Sequence, residues 1–142
     1  FNAAYGKAQP FKRKIALAIA FTQPDIISVG KRFSGLEPEQ IIIGVAKTRS
    51  NGRSRILTDE EGLLRIYADK KQATLLGASM IGPRAEHIAQ YLALAIDQGL
   101  TVQQLLAAPF YHPVIEEVVQ SALLDIARRL QPSVHPLGCI PI

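Results

Sequence analysis

The sequence predicts a single α+β domain in which an antiparallel β-sheet is followed by helices. Two observations carry that expectation. Apolar residues recur with a period of two in several segments before Gly82, and the period becomes 3.6 after it. Strands therefore come first and helices second, without the alternating strand–helix–strand units that build parallel sheets. A third observation bounds the answer: 142 residues, 48% hydrophobic and 20% charged, suit one globular domain with a real core and exclude general disorder.

The elements follow in order. Residues 1–13 are polar, basic and interrupted by Gly6 and Pro10, the pattern of a linker or of the end of a preceding element. Ile15, Leu17, Ile19 and Phe21 alternate with Ala16, Ala18 and Ala20, which predicts a strand with one bulky and one small face. Pro24 punctuates it, and residues 25–29 predict a short second strand ending at Gly30. Residues 31–36 suit a helical turn. Residues 40–47, with Ile41, Ile42, Ile43 and Val45, are the most β-prone stretch. A basic loop around Asn51-Gly52 leads to strands at 63–68 and 74–81, a hairpin turned by Asp69-Lys70-Lys71-Gln72.

The helical part has start and stop signals. Pro83 suits a first helical position with Glu86 in the first turn, and Ala85, Ile88, Ala89, Leu92 and Ile96 make one stripe that ends before Gly99. Thr101 and Gln104 have capping-box spacing for a short helix through Ala107, which Pro109 stops. Pro113 is expected to open the last helix. Glu116 and Glu117 near its start and Arg128 and Arg129 near its end match the helix dipole. Its buried stripe is Ile115, Val118, Val119, Ala122, Leu123, Ile126 and Leu130. The expected organisation is a linker at 1–13, the domain at 14–130 and an irregular, proline-bearing tail at 131–142.

Charge excludes little but is informative. The 16 basic and 12 acidic side chains are unevenly placed, with basic clusters at Lys7, Lys12, Arg13 and Lys14 and at Lys47, Arg49, Arg53 and Arg55. Such clusters can release phosphate counterions. No aromatic residue interleaves with the second, however, and Asp59, Glu60 and Glu61 follow it, so a solvated linker and loop are expected and no nucleic-acid partner. The longest charge-free run, 98–115, is broken by Gly99, Pro109 and Pro113 and predicts no membrane span. One cysteine, Cys139, gives neither an internal disulfide nor a cysteine-based metal site. A cytoplasmic setting is expected. No glycine-rich phosphate loop is visible. The chain opens at Phe1, without an initiator Met or a signal pattern, and reads as a piece of something longer.

Of three histidines, His87 and His135 suit structural or solvated roles, whereas His112 has informative neighbours. Pro113 biases His112 towards an extended backbone, and Glu116 and Glu117 lie four and five residues on. Along a continuous helix, five residues would set two groups about 140° apart. Because His112 precedes the helix, its ring can fold back towards the first turns instead. Histidine is the side chain that ordinarily titrates near physiological pH, and a carboxylate partner selects its tautomer, which suits general acid–base chemistry. Spacing alone leaves a second reading open: a capping histidine beside an ordinary acidic first turn. One nitrogen and two oxygens make a poor metal site, and none is expected.

His112-Pro113, with Glu117 five positions after the histidine, resembles the histidine–proline…glutamate motif of the flavoprotein disulfide reductases (pyridine nucleotide-disulfide oxidoreductases). This is the family of dihydrolipoyl dehydrogenase and glutathione reductase. Residues 21–30, Phe-Thr-Gln-Pro-Asp-Ile-Ile-Ser-Val-Gly, resemble the opening of that family's C-terminal dimerisation domain. Residues 77–85 are similar to its strand-to-helix junction, and Leu100-Thr101-Val102 to the start of its next helix. The pieces agree in order and spacing over residues 14–130.

The resemblance is strongest to dihydrolipoyl dehydrogenase, and it implies a good deal. Such enzymes carry an FAD domain with a redox-active cysteine pair, an NAD(P) domain and the dimerisation domain that this chain is similar to. Residues 1–13 would then be the end of the FAD domain. The resemblance implies a homodimer in which His112 is base and acid for a dithiol beside the partner's flavin and disulfide. Glu117 would orient it, with the backbone of His112 and Pro113 near the partner's FAD. FAD and NAD(P) belong to the full-length enzyme, and neither they nor turnover is expected of this chain alone. The FAD and NAD(P) domains of the same polypeptide and a lipoyl-bearing multienzyme complex are the further partners implied. The chain departs from the pattern at Val114, commonly threonine or serine, at Phe110, often a second histidine, and at His87, commonly glutamate. The competing expectation is a free-standing α+β binding domain that uses its basic loops on an acidic or nucleic-acid partner.

Overall fold

The computed structural model describes residues 14–57 and 61–130, together with Ala4 and Gly6. The expected tail, most of the expected linker, and with them Lys7, Lys12, Arg13, His135 and Cys139, lie outside the described residues. Five strands form one sheet: β1 (Leu17–Ala20), β2 (Asp25–Gly30), β3 (Ile41–Lys47), β4 (Leu63–Asp69) and β5 (Leu75–Gly82). All neighbours are antiparallel, in the order β1-β2-β5-β4-β3. Among the described residues, the α-helices α1 (Gly52–Ile56), α2 (Ala85–Asp97), α3 (Val102–Leu106) and α4 (Glu117–Leu130) accompany the sheet.

The period-two pattern explains which face is covered. Pairing sets Leu17 opposite Val29, Val29 opposite Ala78 and Ala78 opposite Ile66, so these side chains share one face with Ile19, Ile27, Met80 and Leu64. That face is the core. Helix α2 lies over β1, β2 and β5, while α4 lies over β3 and β4, with α3 packed beside α4. The expected stripe of α2 is buried at Ala85, Ile88, Ala89 and Leu92 and half-buried at Ile96. The α4 stripe is buried from Val118 to Ile126, and Ile115 joins it from the preceding turn.

One glycine makes this packing close. A Cβ on Gly44 would run into the Ala122 carbonyl oxygen and meet Ile126 Cγ1 at 2.7 Å, so α4 sits directly on the β3 backbone there. The same helix protects the edge of the sheet. Val45 N–H donates to Asp125 Oδ2 at 2.9 Å, and the Arg129 guanidinium donates to both Asp125 Oδ2 and the Ile43 carbonyl. These bonds occupy β3 backbone groups that an edge strand otherwise leaves open to pairing with another chain. The opposite face of the sheet is only partly covered. Phe33 packs on Tyr67 with ring centroids 5.8 Å apart, and Tyr67 Oη is hydrogen-bonded to Ser79 Oγ at 2.7 Å, while Ile26, Val45 and Ile81 remain exposed.

Three boundaries differ from the sequence expectation, each for a local reason. Helix α2 begins at Ala85 rather than Pro83, because β5 runs to Gly82 and the chain needs the Pro83–Arg84 turn, with Arg84 left-handed at φ 56°, to reverse onto the sheet. Helix α4 begins at Glu117 rather than Pro113. Residues 115–116 form a tighter turn leading into it, in which Val118 N–H bonds Ile115 O at 3.0 Å and Val119 N–H bonds Glu116 O at 2.9 Å. The basic loop contains helix α1. Asn51 starts it by accepting the Ser54 N–H at 3.0 Å, and Thr48, Asn51 and Ser54 are buried. Other expectations coincide with the structure. Thr101 and Gln104 form a reciprocal capping box, and Asp69 accepts the N–H groups of Lys71 and Gln72 at 2.8 and 2.7 Å in the β4–β5 turn. The bonds from Gln72 and Lys71 hold the Asp69 carboxyl below its ordinary value.

Candidate active-site edge

The His112 segment sits where α4 begins, over the end of the sheet that carries α1. The His112–Pro113 peptide bond is cis. The imidazole folds back onto the first turn of α4, as its place ahead of the helix allows, and His112 Nδ1 lies 2.9 Å from Glu117 Oε1. A carboxylate can only accept, so Nδ1 carries the proton of this bond and Nε2 is left as the basic nitrogen. The second oxygen is also used: Val114 N–H donates to Glu117 Oε2 at 3.1 Å, the backward-reaching half of a capping box. Glu117 is thereby fixed at both oxygens, its side chain 23% exposed, while the His112 side chain is 73% exposed. The pair is anchored at its acid and open at its base.

The two candidate carboxylates have separated roles. Glu117 takes the histidine; Glu116 lies towards α2, where burial first and the Glu116 charge second push the Tyr91 phenol above its ordinary value. Beside the loop, Arg53, Arg84, His87, Tyr111, Pro113 and Glu116 help line a cleft of about 320 Å³. His87 is exposed, with Nε2 3.4 Å from Glu86 Oε1. Burial works to raise the Glu86 carboxyl, but hydrogen bonding to Asp25 and to backbone, with the charges of His87 and Arg84, leaves it below its ordinary value. A larger cleft, about 480 Å³, lies away from the dyad on the open sheet face, between Pro24, Ile81 and the Lys47–Arg49 corner. Its Arg49 pairs with Glu61 at 3.4 Å. Among the described residues no three His, Cys, Asp or Glu side chains gather as a metal site, and no helix is long and apolar enough to cross a membrane.

Sequence reasoning missed two neighbours of the dyad. Asn51, read as part of a solvated loop, is buried and donates from Nδ2 to Val114 O at 2.9 Å and to Ile115 O at 3.4 Å. Gly52 places its backbone beside the ring, where an added Cβ would stand 3.4 Å from His112 Cε1. The only sequence signal was Asn51 with Ser54 three residues on, the pattern of a helix N-cap, which the adjacent glycine and arginines disguised as a turn.

The described residues include no phosphate-cradling loop, and what they present is an exposed imidazole on a tethered turn. The architecture is a sheet covered by helices on one face, with the His112–Glu117 pair at its edge. Comparison with known proteins gives the family: residues 17–123 match the pyridine nucleotide-disulphide oxidoreductase dimerisation domain, and the chain belongs to that family. It is 34% identical over 126 residues to dihydrolipoyl dehydrogenase 2 of Haloarcula marismortui, covering 85% of this chain and 26% of that protein. It is 32% identical over 107 residues to the dihydrolipoyl dehydrogenase of Geobacillus stearothermophilus, covering 74% and 23%. The chain thus spans about a quarter of the length of these oxidoreductases. Its fold is similar to that of the HOCl-induced flavoprotein disulfide reductase RclA from Escherichia coli, with a TM-score of 0.74, 22% identity and coverage of 87% of this chain and 29% of that one. LpdA from Mycobacterium tuberculosis also matches with a TM-score of 0.74, at 22% identity, over 92% of this chain and 28% of that one.

Proposed function

We propose that this chain is the dimerisation domain of a dihydrolipoyl dehydrogenase-like flavoenzyme and that it donates His112 and Glu117 to the active site of its partner subunit. The observation that carries the reading is the 2.9 Å Nδ1–Oε1 bond, which leaves Nε2 basic and outward on an exposed edge. An enclosed active site would surround its base with its own chain. This base has a carboxylate behind it and solvent in front, the form expected of one half of a site that a second subunit closes. FAD, NAD(P) and a redox disulfide, held elsewhere in the full-length polypeptide, would supply the two-electron chemistry.

What this chain's residues do is hold and move a proton. Nε2 takes the proton of a substrate thiol as the resulting thiolate attacks the disulfide, and returns it to the thiolate that leaves. Glu117 keeps the ring in the tautomer that makes Nε2 the acceptor and stabilises the imidazolium between the two transfers. The Pro113 ring and the tethered Val114 peptide keep the segment from rotating away. The exposed apolar side chains of the open sheet face, Ile26, Val45 and Ile81, are consistent with surface that is covered in the assembled enzyme.

The chain is expected to form a two-fold homodimer by itself, since obligate interfaces are large and apolar, often more than about 2,000 Å² in total. Sedimentation equilibrium tests this. A dimer at accessible protein concentrations is the predicted result, and a monomer at every concentration would contradict it.

A further inference from the structure

The geometry points to Asn51 as a positioning residue for the His112–Glu117 pair, acting through Val114; the inference rests on the assignment of His112 as the proton shuttle. Four hydrogen bonds run in series. Ser54 N–H donates to Asn51 Oδ1 at 3.0 Å, Asn51 Nδ2 donates to Val114 O at 2.9 Å, Val114 N–H donates to Glu117 Oε2 at 3.1 Å, and Glu117 Oε1 meets His112 Nδ1 at 2.9 Å. Val114 is therefore gripped through both of its flanking peptides, by Glu117 at its N–H and by Asn51 at its carbonyl. The link that joins the two segments is not local in sequence: Asn51 and Val114 are 63 residues apart.

The chemistry of the side chain suits the task. Asn51 is 6% exposed, and its amide uses the carbonyl oxygen as a helix cap and the NH₂ group as a clamp. Only a side chain with an acceptor and a donor on one rigid planar group satisfies both ends. Aspartate could cap but not clamp, and serine could cap but stops short of Val114. The helix that Asn51 opens also brings Gly52 beside the imidazole, so one side chain holds both the residue whose N–H meets the carboxylate and the backbone next to the ring. A proton shuttle needs this, because a displacement of about 1 Å in a reacting group can cost about a hundredfold in rate.

Two variants of the full-length flavoenzyme test the inference, with His112→Gln measured in parallel. In Asn51→Ser the hydroxyl still caps α1, and the clamp is lost. The expected result is a fall in kcat for dithiol oxidation of about ten- to a hundredfold with KM for the dithiol nearly unchanged. In Asn51→Asp the clamp becomes pH-dependent: the protonated acid can donate to the Val114 carbonyl, and the ionised one repels it. Its kcat should recover relative to wild type as pH is lowered through the titration of the new carboxyl, a signature that a purely structural residue would not give. Should Asn51→Ser fail to fold, the pH profile of Asn51→Asp decides. Folded variants with kcat and pH profile within about twofold of wild type would overturn the positioning role. If His112→Gln itself keeps wild-type turnover, the shuttle assignment falls instead; an inactive His112→Gln beside unaffected Asn51 variants sinks the Asn51 inference alone.

Discussion

Glu117→Gln in the full-length enzyme is expected to lower dithiol turnover by about 10²–10⁴-fold, the range that general acid–base catalysis contributes. Glutamate offers two acceptor oxygens, and both are in use, one by His112 and one by Val114 N–H. Glutamine offers one acceptor and one NH₂ donor. Whichever partner keeps the carbonyl oxygen, the other faces a donor. If the Val114 N–H keeps it, the amide donates to Nδ1, the ring adopts the other tautomer, and Nε2 carries the proton where a base is required. If His112 keeps it, the buried Val114 N–H loses its acceptor and the turn loosens. Either outcome leaves substrate binding largely intact, so the loss should appear in kcat and much less in KM. Glu116→Gln, one residue away but directed towards α2, should stay within about twofold of wild type, because no hydrogen bond ties it to the ring. Steady-state kinetics on the two variants makes the comparison. Equal effects from both would mean that the acidic first turn matters only as charge.

Gly44→Ala is expected to destabilise the domain by about 1–3 kcal/mol and to lower its melting temperature by about 5–15 °C, well beyond what a surface glycine would show. The added methyl would press on the Ala122 carbonyl and on Ile126, a backbone atom and a core side chain that cannot both move aside. Helix α4 would have to lift off β3, straining the Asp125 and Arg129 bonds that cover that edge. Its first residue is Glu117, so the dyad would shift with it. Differential scanning calorimetry reads the first effect, with Gly35→Ala as a control in open space. A melting temperature unchanged in Gly44→Ala would mean that α4 does not rest on β3 as described.

The sheet was legible because burial of one face leaves a period of two in the strands: Ile27, Val29, Leu64, Ile66, Ala78 and Met80 are all buried on that face. The stripes of α2 and α4 were legible for the same reason. The starts of those helices were not. A proline marks where a helix can begin, but the distance the chain must travel after β5 or after His112 decides where it does begin, and that distance is a tertiary property. The dyad was half legible. Motif and spacing pointed to His112 and Glu117, and the fold-back of the ring was foreseen from its place before the helix. Asn51 was hidden because its function lies in contacts with residues 63 positions away, while its immediate neighbours Gly52, Arg53 and Arg55 have the composition of a loop. Lys14 shows the opposite case: grouped with the basic linker by sequence, it pairs with Asp97 at the end of α2 at 3.6 Å.

Subunit complementation decides whether the proton shuttle acts across the dimer. Full-length His112→Gln is mixed and reassociated with a second inactive variant that lacks the redox cysteine pair but keeps His112. If the histidine acts in trans, each mixed dimer contains one complete site, and random reassociation should restore about a quarter of wild-type activity. If it acts within its own subunit, no mixed dimer contains a complete site. Activity that stays at the level of the separate inactive variants, in a sample shown to contain mixed dimers, would contradict the account.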